Sequence, residues 1–126
     1  MKDLKFPKPK KKFKLPSYLT GGGKYGNYPS IYKGRTYHSK AEATYAMVLD
    51  AMIMDNSIKE WTPQFKLKID VNGQHITNYI VDFWVLTSSG TEELHEVKGY
   101  ETDVFKIKWK LAKALYGANY KFVLIK

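Results

Sequence analysis

A single charge interrupts the run Tyr79-Ile80-Val81-Asp82-Phe83-Trp84-Val85-Leu86. Written as a strand, the run is apolar on both faces, the pattern of a central strand covered from two sides. A carboxylate placed there is costly unless a cation, a metal ion or hydrogen-bond donors lie beside it. Leu94-His95-Glu96-Val97-Lys98 offers such surroundings, because Glu96 and Lys98 stand two apart in a second strand-like run and therefore share a face. Two carboxylates on rigid strands, with water completing an octahedron, suit Mg²⁺ or Mn²⁺. A lysine beside them stabilises negative charge as it develops on a reacting group. Taken singly, each feature is common: a lone Asp in a strand is often structural, and a Glu and a Lys two apart often form a surface pair worth about 0–1 kcal/mol.

For Asp82 and Glu96 to meet, the chain must turn between them. Ser88-Ser89-Gly90 marks a turn. If Thr87 to Thr91 closes as an odd-length hairpin loop with Gly90 in a left-handed bulge conformation, residues whose numbers sum to 178 become opposite neighbours. Asp82 then faces Glu96 with Cβ atoms about 4.5–5.5 Å apart, an arrangement that is repulsive unless a divalent cation sits between them. A register shifted by one residue removes it.

Around this hairpin the other elements are readable. Ser39 caps a helix with Glu42 three residues later, and Ala43, Ala46, Met47, Leu49, Ile53 and Met54 form its apolar stripe to near Asn56. Gln64 to Ile69 alternates as a strand, and Asn72-Gly73 marks the turn before Ile76 to Leu86. Phe105, Ile107, Leu111, Ala112 and Leu115 recur at near-helical spacing, Gly117 stops that helix, and Lys121 to Ile125 forms a last strand. The order α-β-β-β-α-β predicts an α/β (α+β) fold with a mixed central sheet flanked by helices.

Asp82, followed fourteen residues later by Glu96-Val97-Lys98-Gly99, resembles the D…(D/E)xK signature of the PD-(D/E)XK nuclease superfamily. Val81 stands where the signature has its proline. The resemblance extends across the folded part of the chain, since that superfamily's restriction-endonuclease-like core has the same α-β-β-β-α-β order. Many members carry a glutamate on the first helix, a place that Glu42 fills in Ser39-Lys40-Ala41-Glu42. The stretch from Tyr37-His38-Ser39-Lys40-Ala41-Glu42 through Gln64-Phe65 and Asp82-Phe83 to Glu96-Val97-Lys98-Gly99 further resembles small phage-encoded nucleases of the superfamily, some of which resolve Holliday junctions as homodimers.

What the resemblance implies is a Mg²⁺- or Mn²⁺-dependent endodeoxyribonuclease with Glu42, Asp82, Glu96 and Lys98 as catalytic residues. Asp82, Glu96 and the Val97 carbonyl would hold the metal ion, with Glu42 acting directly or through water. Lys98 would orient the attacking water or help to deprotonate it. Gln64, after Pro63, falls where related nucleases often place a polar group that supports the site. A homodimer is expected on the same ground, as is the cytoplasm of a bacterial host if the protein is phage-encoded.

Charge points to a polyanionic partner. Of a formal charge of +9, +6 falls in the first sixteen residues, where Lys2, Lys5, Lys8, Lys10, Lys11, Lys12 and Lys14 meet only Asp3. Residues 1–30 combine lysine, proline and glycine without apolar periodicity, so a flexible basic arm and linker is expected there, and the nuclease-like domain over residues 31–126. Such an arm attracts DNA by counterion release without reading its sequence; the plainer reading is a solubilising tail. Gly21, Gly22, Gly23 and Gly26 around Lys24 lack the GxxxxGK[ST] spacing of a phosphate loop and read as linker. Candidate DNA-contacting residues are Lys10, Lys11, Lys12 and Lys14 in the arm, Lys40, and Lys106, Lys108 and Lys110 with Lys113 on the second helix, near Tyr100 and Trp109. A solvated helix face has the same composition.

Composition closes other routes. A chain of 126 residues that is 44% hydrophobic suffices for one core, and no apolar run reaches the roughly 18–20 residues of a membrane helix or resembles a signal peptide. Cysteine is absent, which removes disulfides, thiolate zinc sites and cysteine nucleophiles. No Ser-His-Asp arrangement and no small-molecule cofactor is expected, and His38, His75 and His95 have no ligand spacing and read as surface or packing. Two rival readings are a non-catalytic nucleic-acid-binding module, using the basic tail with Tyr25, Tyr28 and Tyr32, and a degenerate nuclease fold serving as a scaffold. The first leaves Asp82 unexplained.

Overall fold

A computed structural model describes residues 30–126, which fall into two compact units, residues 30–58 and residues 59–126. Lys10, Lys11, Lys12, Lys14, the glycine cluster, Tyr25 and Tyr28 lie outside the described residues.

In the first unit, β1 (Ser30–Tyr32) and β2 (Arg35–Tyr37) pair antiparallel with Tyr32 opposite Arg35, leaving Lys33 and Gly34 as the loop. Both loop residues have positive φ, 50° and 79°, the left-handed pair of a type I′ turn, whose twist suits a hairpin. Two three-residue strands joined through a lysine carry too short a pattern to be read from sequence, and none was expected there. Helix α1 (Lys40–Met54) follows. Ser39 Oγ accepts from the Glu42 N–H at 3.1 Å and donates to Glu42 Oε1 at 3.3 Å, giving the first turn an acceptor for an otherwise orphan N–H. At the other end Asn56 takes φ 65°; the Ser57 N–H donates to Met52 O and the Asn56 N–H to Ile53 O, the paired bonds of a Schellman motif. Tyr32 and Lys33 both reach the Asp50 carboxylate, tying the hairpin to the helix. Tyr45, Ala51 and Met52 are buried along with Ala43, Ala46, Met47 and Leu49, whereas Ile53 and Met54, expected on the apolar stripe, are exposed. Burial runs round most of the helix, so their place in its last turn exposes them rather than the face they occupy.

The second unit is built on a four-stranded sheet in the order β3 (Ile58–Val71), β4 (Gln74–Thr87), β5 (Glu92–Val97), β6 (Lys121–Ile125); the unit boundary falls after the first residue of β3. β4 pairs antiparallel with β5, and β5 pairs parallel with β6. The sheet is therefore mixed and the fold α+β. A parallel pair needs a long crossover, which helix α2 (Asp103–Tyr116) supplies. The strands β3 and β4 are longer than the alternation in the sequence marks, and Asn72-Gly73 joins them with φ 51° and 79°, again a two-residue left-handed turn.

One core joins α2 to the sheet: Phe105 and Ala112 pack with Leu67 and Ile69 of β3, Tyr79 and Val81 of β4, Leu94 of β5 and Phe122 of β6. Trp109 stacks on Phe105 with centroids 5.7 Å apart and meets the Phe122 ring edge-on at 5.3 Å. The inward stripe of α2 is thus Phe105, Trp109, Ala112 and Tyr116. Ile107 and Leu115, expected inward, are exposed at 61% and 41%. Both stripes have helical spacing, and the aromatic one buries more apolar area. Gly117 ends α2, donating its N–H to Lys113 O at 2.9 Å; a Cβ there would sit 2.5 Å from that oxygen, so only glycine allows the approach. Among the described residues no helix is long and apolar enough to cross a membrane.

Candidate active site

The β4–β5 loop sets the register. Gly90 has φ 92°, a conformation that costs glycine little and other residues more. Its N–H donates to Thr87 O at 3.0 Å, and the Thr87 N–H donates to Thr91 O at 2.9 Å. Phe83 then faces His95, Trp84 faces Leu94, Val85 faces Glu93 and Leu86 faces Glu92, each pair summing to 178.

One step further, at Asp82 and Glu96, the ladder changes character. Because Thr87 bonds to Thr91, alternation assigns the odd-numbered N–H groups of β4 to β5 and the even-numbered ones to β3. The Asp82 N–H departs from this by donating to Glu96 Oε2 at 3.1 Å. In return the Val97 N–H donates to Asp82 Oδ2 at 2.8 Å. Each carboxylate accepts a bond that a main-chain carbonyl would otherwise take. The Tyr79 hydroxyl donates to Glu96 Oε1 at 2.9 Å. Tyr79 and Asp82 are three apart, and strict alternation would put them on opposite faces. Their joint approach to Glu96 marks a break in that alternation, and for the same reason sequence reasoning missed Tyr79.

Burial, then the neighbouring Glu96 charge, push the Asp82 carboxyl up to about 7, while the Val97 N–H and Lys98 pull it down. Burial also raises Glu96, against the pull of the Tyr79 and Asp82 hydrogen bonds and Lys98. Tyr79 is raised by burial and by the Glu96 charge, so its hydroxyl stays a donor. Lys98 is half-buried, with its ammonium 4.7 Å from the centroid of the Phe105 ring.

Two half-buried or buried carboxylates, both raised by burial and Asp82 further by the Glu96 charge, form a site that a divalent cation relieves. Their oxygens are hard donors suited to Mg²⁺ or Mn²⁺, and a carboxylate oxygen keeps a lone pair beyond the one bond it accepts. Among the described residues no three or more His, Asp or Glu side chains gather to hold a metal ion. A cation here would rest on Asp82 and Glu96 with water, a common arrangement for Mg²⁺. The residues present fit such an ion.

Other expected site residues are more scattered. Glu42 sits in the first turn of α1, in the unit of residues 30–58, under the Ser39 hydroxyl. Lys40 is the first residue of that helix and half-buried. Gln64 is exposed and has φ 55° within β3, the left-handed conformation of a bulge rather than of a regular strand. Lys106, Lys110 and Lys113 share one flank of α2 at spacings of four and three. Lys108 lies about 160° round the helix from Lys106 and Lys110, so the four do not form one grip. Trp109 points into the core and cannot reach DNA with them. His95 is buried with Nε2 2.8 Å from Glu93 Oε1, His75 pairs with Asp70 and His38 is exposed. Tyr32 is half-buried, its hydroxyl on Asp50.

A family model described as "Protein of unknown function (DUF1064)" matches residues 23–125. No curated protein and no solved structure matches the chain.

Proposed function

Because the chain belongs to this DUF1064 family, whose function is unknown, we propose its activity from the site: a metal-dependent endodeoxyribonuclease of the PD-(D/E)XK type, hydrolysing phosphodiester bonds in DNA. The observation that carries this reading is the meeting of Asp82 and Glu96 at an interrupted ladder, under the charge of Lys98.

Asp82, Glu96 and the Val97 carbonyl would hold Mg²⁺ or Mn²⁺. When bound, such an ion polarises a scissile phosphate and lowers the pKa of a coordinated water. Lys98 would orient the attacking water or help to deprotonate it, and its ammonium would favour the negative charge that develops on the phosphate oxygens. The Phe105 ring under the Lys98 ammonium restricts where that charge can sit. Tyr79 holds one oxygen of Glu96, and the Asp82 N–H the other, so the carboxylate cannot swing away. No covalent intermediate on the protein is required.

The proposed partner is DNA, branched junctions included; the proposed compartment is the cytoplasm, that of a bacterial host if the protein is phage-encoded. Cutting a junction in two symmetric strands calls for two sites, hence a homodimer, and light scattering with DNA present would read two chains per junction. The deciding experiment incubates a labelled four-way junction, matched duplex and single strand with the protein in Mg²⁺, Mn²⁺ or EDTA, beside Asp82→Ala. Metal-dependent nicking that Asp82→Ala abolishes is expected.

The same hydrogen bonds support a second reading. Both Glu96 oxygens and one Asp82 oxygen already accept protein donors, so the pair also closes the broken ladder without an ion. The chain would then be a nucleic-acid-binding module or a scaffold, and tight DNA binding without cleavage in any metal would favour it.

A further inference from the structure

Tyr100 stands apart from the other aromatic residues of its unit. Phe65, Tyr79, Trp84, Phe105, Trp109, Tyr116, Tyr120 and Phe122 each meet another ring. Among the described residues Tyr100 has neither a ring contact nor a hydrogen bond, and it is 80% exposed. An aromatic ring left in water loses the large burial that usually places it inside.

The segment carrying it is nevertheless held on both sides. The Lys98 N–H donates to Ile125 O at 2.9 Å, and Glu101 pairs with Lys126 at 2.8 Å. Thr102 then caps α2, its Oγ accepting from the Phe105 N–H at 3.1 Å. Tyr100 is therefore presented on a pinned loop, two residues beyond Lys98, a reach of at most about 7 Å along the chain. Val104 and Ile107, 62% and 61% exposed, continue apolar surface along the first turns of α2 as neighbours at i and i+3. Round the helix Lys110 borders them on one side and Lys108 on the other. A flat ring and apolar side chains between ammonium groups complement a strand whose bases are free to stack while its phosphates meet cations.

We propose that Tyr100, continued by Val104 and Ile107, is a stacking surface for unpaired nucleobases next to the phosphate at Lys98, so that the site takes DNA with unpaired or splayed nucleotides in preference to continuous duplex. The proposal rests on the nuclease reading for its choice of strand and phosphate. In a continuous duplex the bases stack on one another and cannot leave the helix without cost, so the ring would contribute little there.

The test titrates the full chain, in EDTA and with Asp82 and Glu96 intact, into two DNAs carrying 2-aminopurine, one single-stranded and one fully paired. Wild type, Tyr100→Ala and Tyr100→Phe are compared. Stacking quenches the single-strand fluorescence in the wild type. Tyr100→Ala is expected to lose that quenching and to weaken single-strand binding by roughly 5- to 100-fold, well beyond its loss on duplex, while Tyr100→Phe keeps both. No loss in Tyr100→Ala, or equal losses on the two DNAs, overturns the proposal. Since the readout needs neither metal nor cleavage, such a failure leaves the nuclease reading standing. Quenching without metal-dependent cleavage of any DNA sinks the nuclease reading instead, and a wild type that binds neither DNA overturns both.

Discussion

At the scale of single residues, Asp82 dominates. Its carboxyl, held at about 7, lies well above the roughly 3.9 of an unfolded chain. The native state thus binds more protons than the unfolded state across about pH 4 to 7, and stability falls as pH rises through that window. In EDTA the wild-type Tm is expected to drop between about pH 5 and about pH 8 by more than that of Asp82→Asn, whose amide has no charge to desolvate. Near neutral pH the variant should be more stable by about 1–2 kcal/mol, a figure discounted for the solvent that reaches a half-buried group. Added Mg²⁺ should narrow the gap. Parallel pH profiles for the two proteins would remove Asp82 as the source. Asp82, Glu96 and Lys98 were legible because a charge in an apolar run, and two charges at a spacing of two, depend only on strand periodicity. Tyr79 was not, since its approach to Glu96 depends on a local break in that periodicity which no spacing rule announces.

At the scale of elements, strong local signals carried over and weak ones did not. Ser39 with Glu42, Asn72-Gly73 and Gly90 mark their cap and turns because each depends on the conformation of a few adjacent residues. On α2 Phe105, Leu111 and Ala112 pack on the core as their spacing predicts, while Ile107 and Leu115 stay exposed and Trp109 and Tyr116 turn inward instead, a choice decided by what the sheet presents opposite. Truncating the two stripes should therefore give unequal losses. Trp109→Ala is expected to cost about 3–5 kcal/mol in urea unfolding, and Leu115→Ala under about 1 kcal/mol. Equal losses would mean that α2 turns a different face to the sheet. Loss of Trp109 also withdraws support from Phe105, the ring beneath Lys98, so cleavage should fall together with stability.

For the molecule as a whole, charge is the property that acts at a distance. Two-thirds of the net +9 lies in the first sixteen residues, outside the described region, and its expected effect is on affinity rather than selectivity. Replacing Lys10, Lys11, Lys12 and Lys14 with alanine in the full chain should flatten the slope of log binding constant against log salt by about 3–4 on duplex DNA, if each lysine neutralises one phosphate. An unchanged slope would assign the arm another role. The single-strand preference of Tyr100 should survive this change, because stacking releases few counterions.

The loop that carries Gly90 also sets a counting rule on the chain. Glu96 shares a face with Asp82 because their neighbours Phe83 and His95 stand directly opposite each other, and side chains alternate. One residue inserted between Thr87 and Thr91, with the loop keeping its tight form, shifts the pairing and turns His95 or Val97 to where Glu96 was; two inserted residues, one taken into each strand, restore the face. Cleavage is therefore expected to collapse with one added residue and to return in part with two, a rise and fall in a series of loop lengths that a steady decline would contradict. In such a family, loop length between these strands would be inherited by parity before it is inherited by sequence.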